Sequence, residues 1–182
     1  MIPRGEVIEI VGRPSSGRTS LLLAWLAGVT RTGALAALVD ALDVFDPASA
    51  ERAGVDLARL LWVRAGGRRR VAIRAADLLV RCPGFALVAL DLGDAPARLG
   101  LAEAYRLRLA ARRAGTTLVV LAGRRLTGAA ATLALRTARQ GVDWSGPGPR
   151  PTRLAHLRAR VDVVRLRGGA PAVGVGTWRW SA

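Results

Sequence analysis

GEVIEIVGRPSSGRTSLLLAWLA, residues 5 to 27, decides how this chain is read. Gly5 to Val11 sets Val7, Ile8 and Ile10 beside two glutamates and runs straight into a glycine loop. That pattern predicts a buried strand, a tight turn and then a helix from about Gly17 to Ala27 that stops near Gly28. Gly12 to Ser20 (Gly12, Arg13, Pro14, Ser15, Ser16, Gly17, Arg18, Thr19, Ser20) has the spacing of a phosphate-binding loop, G-x-x-x-x-G-K-[ST]. Arg18 stands where the motif has lysine.

Working outward, the same alternation recurs. Ala34 to Val39 reads as a second apolar strand ending at Asp40, and Asp46-Pro47 opens a helix to about Ala53, proline being well placed in a first turn. Leu60 to Arg64 is a third strand, Gly66-Gly67 a turn, and about Arg70 to Arg81 a helix. Phe85 to Leu90 is a fourth strand ending in Asp91, Leu99 to Arg113 a helix, and Thr116 to Leu121 a fifth strand. Strands alternating with helices at this spacing predict an α/β fold of three layers, a mostly parallel central sheet covered on both faces. From about Leu133 the pattern changes. Leu133 to Ala138, Val161 to Leu166 and Ala172 to Thr177 read as antiparallel C-terminal strands added at the sheet edge, with a turn at Gly168 to Pro171. Gly141 to Pro151 reads as a flexible loop. A length of 182 residues fits one domain with one core.

Composition narrows the partners. All 28 basic residues are arginine, lysine and asparagine are absent, and the net charge is +15. The arginine usage follows a GC-rich genome, so a given arginine need not be chosen for its guanidinium. The excess over 13 acids still creates a field that attracts nucleic acid or an acidic protein; a solvated surface under codon pressure is the plainer alternative. The longest apolar run, Leu21 to Ala27, is too short to span a bilayer, so no membrane partner is expected. The start lacks a secretory pattern, and Cys82 is the only cysteine, which fits a reducing cytoplasm. His156 has no second histidine or cysteine near it for a metal.

The loop predicts a definite chemistry. Gly12 and Gly17 let successive N–H groups aim at one anion, and the helix start adds partial positive charge. Thr19 can place its hydroxyl on Mg²⁺ and Asp91 can hold that ion through water, which makes ATP with Mg²⁺ the cofactor to test. Arg18 leaves two outcomes open. Its fork can grip a phosphate bidentately, or it can fill the pocket itself, bonded to Asp91.

Residues 5 to 27 resemble the opening of the RecA recombinase core, a P-loop NTPase fold. Val39 to Val63 is similar to that family's second strand and next helix, FALVALD to its Walker B strand, and Leu99 to Leu121 to the helix and strand that follow. LAHLRARVDVVRLR resembles the strand after its second DNA loop. The resemblance implies one RecA-like core domain without an N-terminal oligomerisation arm or a separate C-terminal domain, and a first DNA loop cut to about Leu92 to Gly100. It also marks departures. The water-orienting glutamate falls at about Arg68 to Arg70, and an acid after Asp40-Ala41 becomes Leu42. The adenine-stacking tyrosine becomes Ser49, with Asp46 kept as an adenine contact, and the Asn-Gln phosphate sensor becomes Ala122-Gly123. Activating water and stabilising the transferring charge provide most of phosphoryl-transfer catalysis. Their loss implies little or no hydrolysis, and no catalytic residue is assigned.

A short, arm-less, catalytically eroded RecA relative is similar to the ImuA family. That resemblance implies an accessory factor of the SOS response, acting in error-prone translesion synthesis. Its partners would be an ImuB-like Y-family polymerase homologue and, beyond it, RecA or single-stranded DNA; no self-filament is implied. Arg124, Arg125, Arg136, Arg139, Arg150 and Arg153 fall in or near the region matching the second DNA loop and are candidate phosphate or partner contacts, with Trp144 able to stack on a base. Trp178 and Trp180 are candidate partner anchors. Two further functions fit the same residues: an active DNA-dependent ATPase in which Arg18 replaces the lysine, and a regulator that caps RecA filaments.

Overall fold

Near-continuous apolar runs make the central strands, because a parallel strand between two helical layers meets no water on either face. The computed structural model describes residues 3–94, 99–150 and 152–167, with the backbone alone for 176–181. The chain runs β1 (Val7–Val11), α1 (Arg18–Thr30), β2 (Leu35–Asp40), α2 (Pro47–Arg52), β3 (Leu60–Arg64), α3 (Arg69–Arg81), β4 (Phe85–Asp91), α4 (Leu101–Ala114) and β5 (Thr117–Ala122). It ends in β6 (Leu133–Ser145), β7 (Arg153–Leu166) and β8 (Gly176–Ser181). The described strands form one sheet in the order β3-β2-β4-β5-β1-β6-β7-β8.

Alternation along each strand builds two cores. Val39, Val88, Leu90 and Val120 face α3 and α4, where they meet Ala72, Ala76, Val80, Leu107 and Ala111. Ile8, Ile10, Leu38, Ala89 and Leu121 face α1 and α2, against Leu22, Leu26 and Ala50. The small residues on α3 and α4 let these helices lie close to the sheet. This is the three-layer α/β architecture expected, with β1 and β5 central and their C-terminal ends carrying the loops of interest.

Three expectations need correction. The first helix does not stop at Gly28; it continues to Thr30, and Gly33 at φ 86° follows it. A mid-helix glycine costs only about 1 kcal/mol relative to alanine, which burying Leu26 and Ala27 offsets. The strand from Leu133 is not antiparallel to the sheet. A short 3-10 turn at Gly128–Ala130 carries the chain past β1, so β6 pairs parallel to it, Ile10 opposite Leu135. Among the described strands β7 runs against the others, pairing antiparallel with β6 on one side and with β8 on the other. Finally, Gly141 to Ser145 is not loop but the outer half of β6. It pairs with β7 from Arg158 to Arg153 through register shifts at Arg139/Gly141 and Asp143/Trp144 that absorb the glycine. β8 begins at Gly176; the turn and most of the strand expected from 168 to 175 lie outside the described residues.

Candidate functional site: the phosphate loop and its neighbours

The loop is built as its sequence asks. Gly12 N–H bonds to Ala122 O at 3.2 Å, tying the loop start to β5. Ser15 (φ 59°) and Gly17 (φ 92°) both take left-handed backbone, which turns the chain into α1. The first turn of α1 carries no acid and Gly17 gives no side-chain cap, so the helix start keeps its partial positive charge. Ser16 is buried and its hydroxyl shares a 2.7 Å hydrogen bond with Thr137 on β6. Leu157 and Ala159 of β7 lie over Gly17; a Cβ at Gly17 would sit 2.9 Å from the Ala159 methyl.

Arg18 answers the question its sequence raised. Only 9% exposed, it turns back into the loop, and one guanidinium nitrogen donates to Gly12 O and to Asp94 Oδ1, each at 2.5 Å. The other terminal nitrogen donates to Asp94 Oδ2 at 2.9 Å, completing a bidentate pair. The expected partner, Asp91, is not the one used. Asp91 lies beside Asp40 at the ends of β4 and β2, and its carboxylate accepts from Gly93 N–H at 2.9 Å. The turn at Gly93 (φ 63°) then delivers Asp94, three residues on, to the loop. Burial pushes the Asp91 carboxyl above its ordinary value, against the Gly93 hydrogen bond and the Arg18 charge, which pull it down. The hydrogen bonds and charge of Arg18 hold Asp94 below its ordinary value. Gly123 makes room for this pair: a Cβ there would come within 2.6 Å of Asp94 Oδ1. Thus the departure at Ala122-Gly123 and the departure at Arg18 meet in one contact.

The remaining predicted residues divide. Thr19 is exposed at the start of α1, free to face a ligand, and Ser20 follows it half-buried. Asp46 is the N-cap of α2: its carboxylate accepts from Ala48 N–H, Ser49 N–H and the Ser49 hydroxyl, so it is committed to the helix rather than open to an adenine. Where the resemblance placed a glutamate, Arg68 donates to Ala65 O at 3.3 Å and Arg69 to Leu92 O at 2.7 Å. Of the six candidate arginines, Arg125 is exposed and its Nε pairs with the buried Glu9 at 3.3 Å. Arg124 is exposed beside it. Arg136 and Arg139 are exposed on β6, Arg150 and Arg153 at the β6–β7 hairpin, and Trp144 is 53% exposed on the outer half of β6. These residues therefore spread over a long hairpin rather than one loop. Trp178 and Trp180 sit on β8 opposite Ala159 and Leu157 in register; their side chains lie outside the described residues.

Sequence reasoning missed three residues. Asp94 was legible as the next acid in DLGD, but was read as part of a shortened loop. Thr137 carried no signal. Glu9 was read as one of two glutamates on a strand, yet it is wholly buried. It accepts from Leu126 N–H, from Thr127 N–H at 3.0 Å, from the Thr127 hydroxyl at 2.9 Å and from Arg125 Nε at 3.3 Å. Its carboxylate thereby fixes the connection that leaves the Gly123 corner. No group of three or more His, Cys, Asp or Glu placed to hold a metal occurs among the described residues, and no described helix is long and apolar enough to cross a membrane. Thr19 and Asp91 are the residues present that suit a nucleotide-borne Mg²⁺.

Known proteins match this arrangement. Residues 1–99 match the family model for the RecA N-terminal domain. Over 90 residues, half of this chain, the sequence is 43% identical to Protein RecA of Methylococcus capsulatus and 41% identical to that of Clavibacter michiganensis subsp. michiganensis. Those matches span only 26% and 25% of the two proteins. The crystal structure of the RadB recombinase superposes with a TM-score of 0.67 at 20% identity, covering 97% of this chain and 88% of that one, which bears on the fold alone. With more than half of its length matched by the family model, the chain belongs to the RecA family.

Proposed function

We propose that this chain is a RecA-fold accessory protein of the ImuA type, which docks on a polymerase-like ImuB homologue during error-prone synthesis past DNA lesions and does not turn over ATP. The observation that carries this reading is the buried Arg18 clamped by Asp94 and Gly12 O. The group that should meet a terminal phosphate is already fully engaged. Releasing it means separating a charge-assisted bidentate pair in a partly buried site. The position of the phosphate sensor is the glycine that admits Asp94, and the position of the water-orienting acid is occupied by arginines, of which Arg69 bonds Leu92 O just past Asp91. Nothing in that set could polarise a water or follow charge as it develops on a transferring phosphate.

The exposed arginines of the hairpin and Trp144 would form the docking face, toward RecA or single-stranded DNA as well as the polymerase-like partner. Co-expression with the ImuB-type protein tests the reading. Stable co-purification that survives Arg18→Ala, with no ATP consumption by chain or complex when magnesium and single-stranded DNA are present, is the expected result. Turnover that rises with single-stranded DNA and falls in Asp91→Asn would show an ATPase instead, and slowed RecA assembly on DNA at substoichiometric amounts, without co-purification, would show a filament cap.

A further inference from the structure

We propose that the cavity between the first half of the phosphate loop and Arg136 to Arg139 of β6 is a phosphate site of its own, separate from the loop's cradle. It has a volume of about 470 Å³, and its walls include Gly12, Arg13, Gly123, Arg136, Thr137 and Arg139. That size lies in the range of roughly 300–1,000 Å³ typical of small-ligand sites. The inference rests on the reading of the loop as a retained but non-hydrolysing cradle.

The electrostatics single out this cavity. Arg18, the loop arginine that turns inward, is neutralised by Asp94. Arg13, Arg136 and Arg139 are exposed at the cavity, and none of their guanidinium groups has a hydrogen-bond or ion-pair partner among the described residues. The lining holds no acid, and Asp162, opposite Arg136 in the β6–β7 register, is already paired with Arg160 at 3.1 Å. Three forked donors around a concave wall are the chemistry that recognises phosphate. The lining also holds no aromatic side chain, so a base finds no platform to stack on and the site reads charge rather than sequence. Its floor is firm: Ser16 and Thr137 bond each other, and a Cβ at Gly12 would run into both side chains. The phosphate can come from a nucleic-acid backbone or from a free polyphosphate, since both present the same oxygens.

Amide NMR on the full chain, titrated with inorganic pyrophosphate and then with a single-stranded oligothymidylate, tests the site. Saturable shifts centred on the amides of Gly12, Arg13, Gly123 and Ala138 are expected. An Arg136→Gln, Arg139→Gln double variant weakens binding about tenfold or more, and lowers the salt slope for DNA by about 1.4, as two lost single-strand contacts require. Should that variant lose its dispersed spectrum, Arg13→Gln on the exposed loop serves in its place. Oligothymidylate that displaces pyrophosphate assigns the site to a strand backbone; pyrophosphate that saturates without such competition assigns it to a free polyphosphate. Shifts centred on Gly17 to Ser20 put the anion in the cradle and overturn the proposal. So does an equal loss in an Arg74→Gln, Arg112→Gln control on α3 and α4, which removes the same charge elsewhere, and so does the absence of any saturable shift. Partner docking is read separately by co-purification, so its failure leaves this titration interpretable.

Discussion

Gly123→Ala measures whether Arg18 and Asp94 hold each other as the structure places them. The added methyl would lie 2.6 Å from Asp94 Oδ1 and 3.5 Å from Asp94 Cα. Gly123 N–H is bonded to Gly93 O at 3.1 Å, so the backbone cannot withdraw without losing that bond too. The carboxylate is what moves, and it leaves its bidentate geometry. Gly123 itself is not in the left-handed region, so alanine adds no backbone strain. A desolvated hydrogen bond to a charged group contributes about 1.5–3 kcal/mol. The Asp94 side chain is 43% exposed, and screening brings the whole pair down to about 1–2 kcal/mol. Gly123→Ala should therefore lower the unfolding free energy by about 1–2 kcal/mol, seen in urea melts as a lower midpoint at unchanged slope. In an Asp94→Ala background the methyl has nothing to displace, and the same substitution should cost close to nothing. A double-mutant cycle that adds to within about 0.5 kcal/mol would refute the coupling of Gly123, Asp94 and Arg18.

Glu9→Gln should cost about 3 kcal/mol or more, because the amide oxygen can still accept the Leu126 and Thr127 N–H groups but its NH2 would face Arg125 Nε–H, donor against donor, with the charge that Arg125 pairs with gone; a urea-melt difference below about 1 kcal/mol would mean that the charge is not needed there. The two acids of DLGD should respond oppositely to pH. Asp94 is held below its ordinary value, so its contribution is present above that value and lost as pH falls through the depressed one; Asp94→Asn should flatten the acid limb of the stability curve. Asp91 is raised by burial, so its contribution is full below the ordinary value and lost as pH rises through the raised one; Asp91→Asn should match or exceed the parent's thermal midpoint at neutral pH. A midpoint that falls for Asp91→Asn at neutral pH would show that its carboxylate is paired rather than penalised.

The parallel core was legible because local signals agreed. A run as short as FALVALD, bounded by turn residues, reads as a strand buried on both faces, and the turns between such runs are marked by glycines with positive φ, as at Gly33 and Gly115. The direction of β6 was not legible, since alternation along a strand says which faces are apolar and nothing about which neighbour it joins. That choice was made by where the turn at Gly128–Ala130 brings the chain, a tertiary fact anchored by buried Glu9. The same limit applies at the site. Spacing found the loop and named Arg18 as the anomaly, but a partner three residues past the expected aspartate depends on the turn at Gly93 and on the missing side chain at Gly123.

Retention of the loop's shape also has an explanation that needs no nucleotide. Gly17 cannot become another residue, because Ala159 lies over it and its backbone is left-handed. Gly12 is constrained as tightly by Ser16 and Thr137, and its N–H is part of the link to β5. These demands come from packing β6 and β7 against the loop, and they would preserve a G-x-x-x-x-G spacing whether or not a nucleotide is bound. Position 18 answers to a different constraint. A lysine there would supply one compact charge, unable to reach both Asp94 oxygens in a fork while also donating to Gly12 O. Arginine does all three, and it does so only because residue 123 has no side chain. Lysine to arginine and glutamine to glycine are therefore one change in physical terms. Together they place the Asp94 carboxylate on Arg18 inside the loop, and leave the guanidinium groups of Arg13, Arg136 and Arg139 outside it without an acid partner.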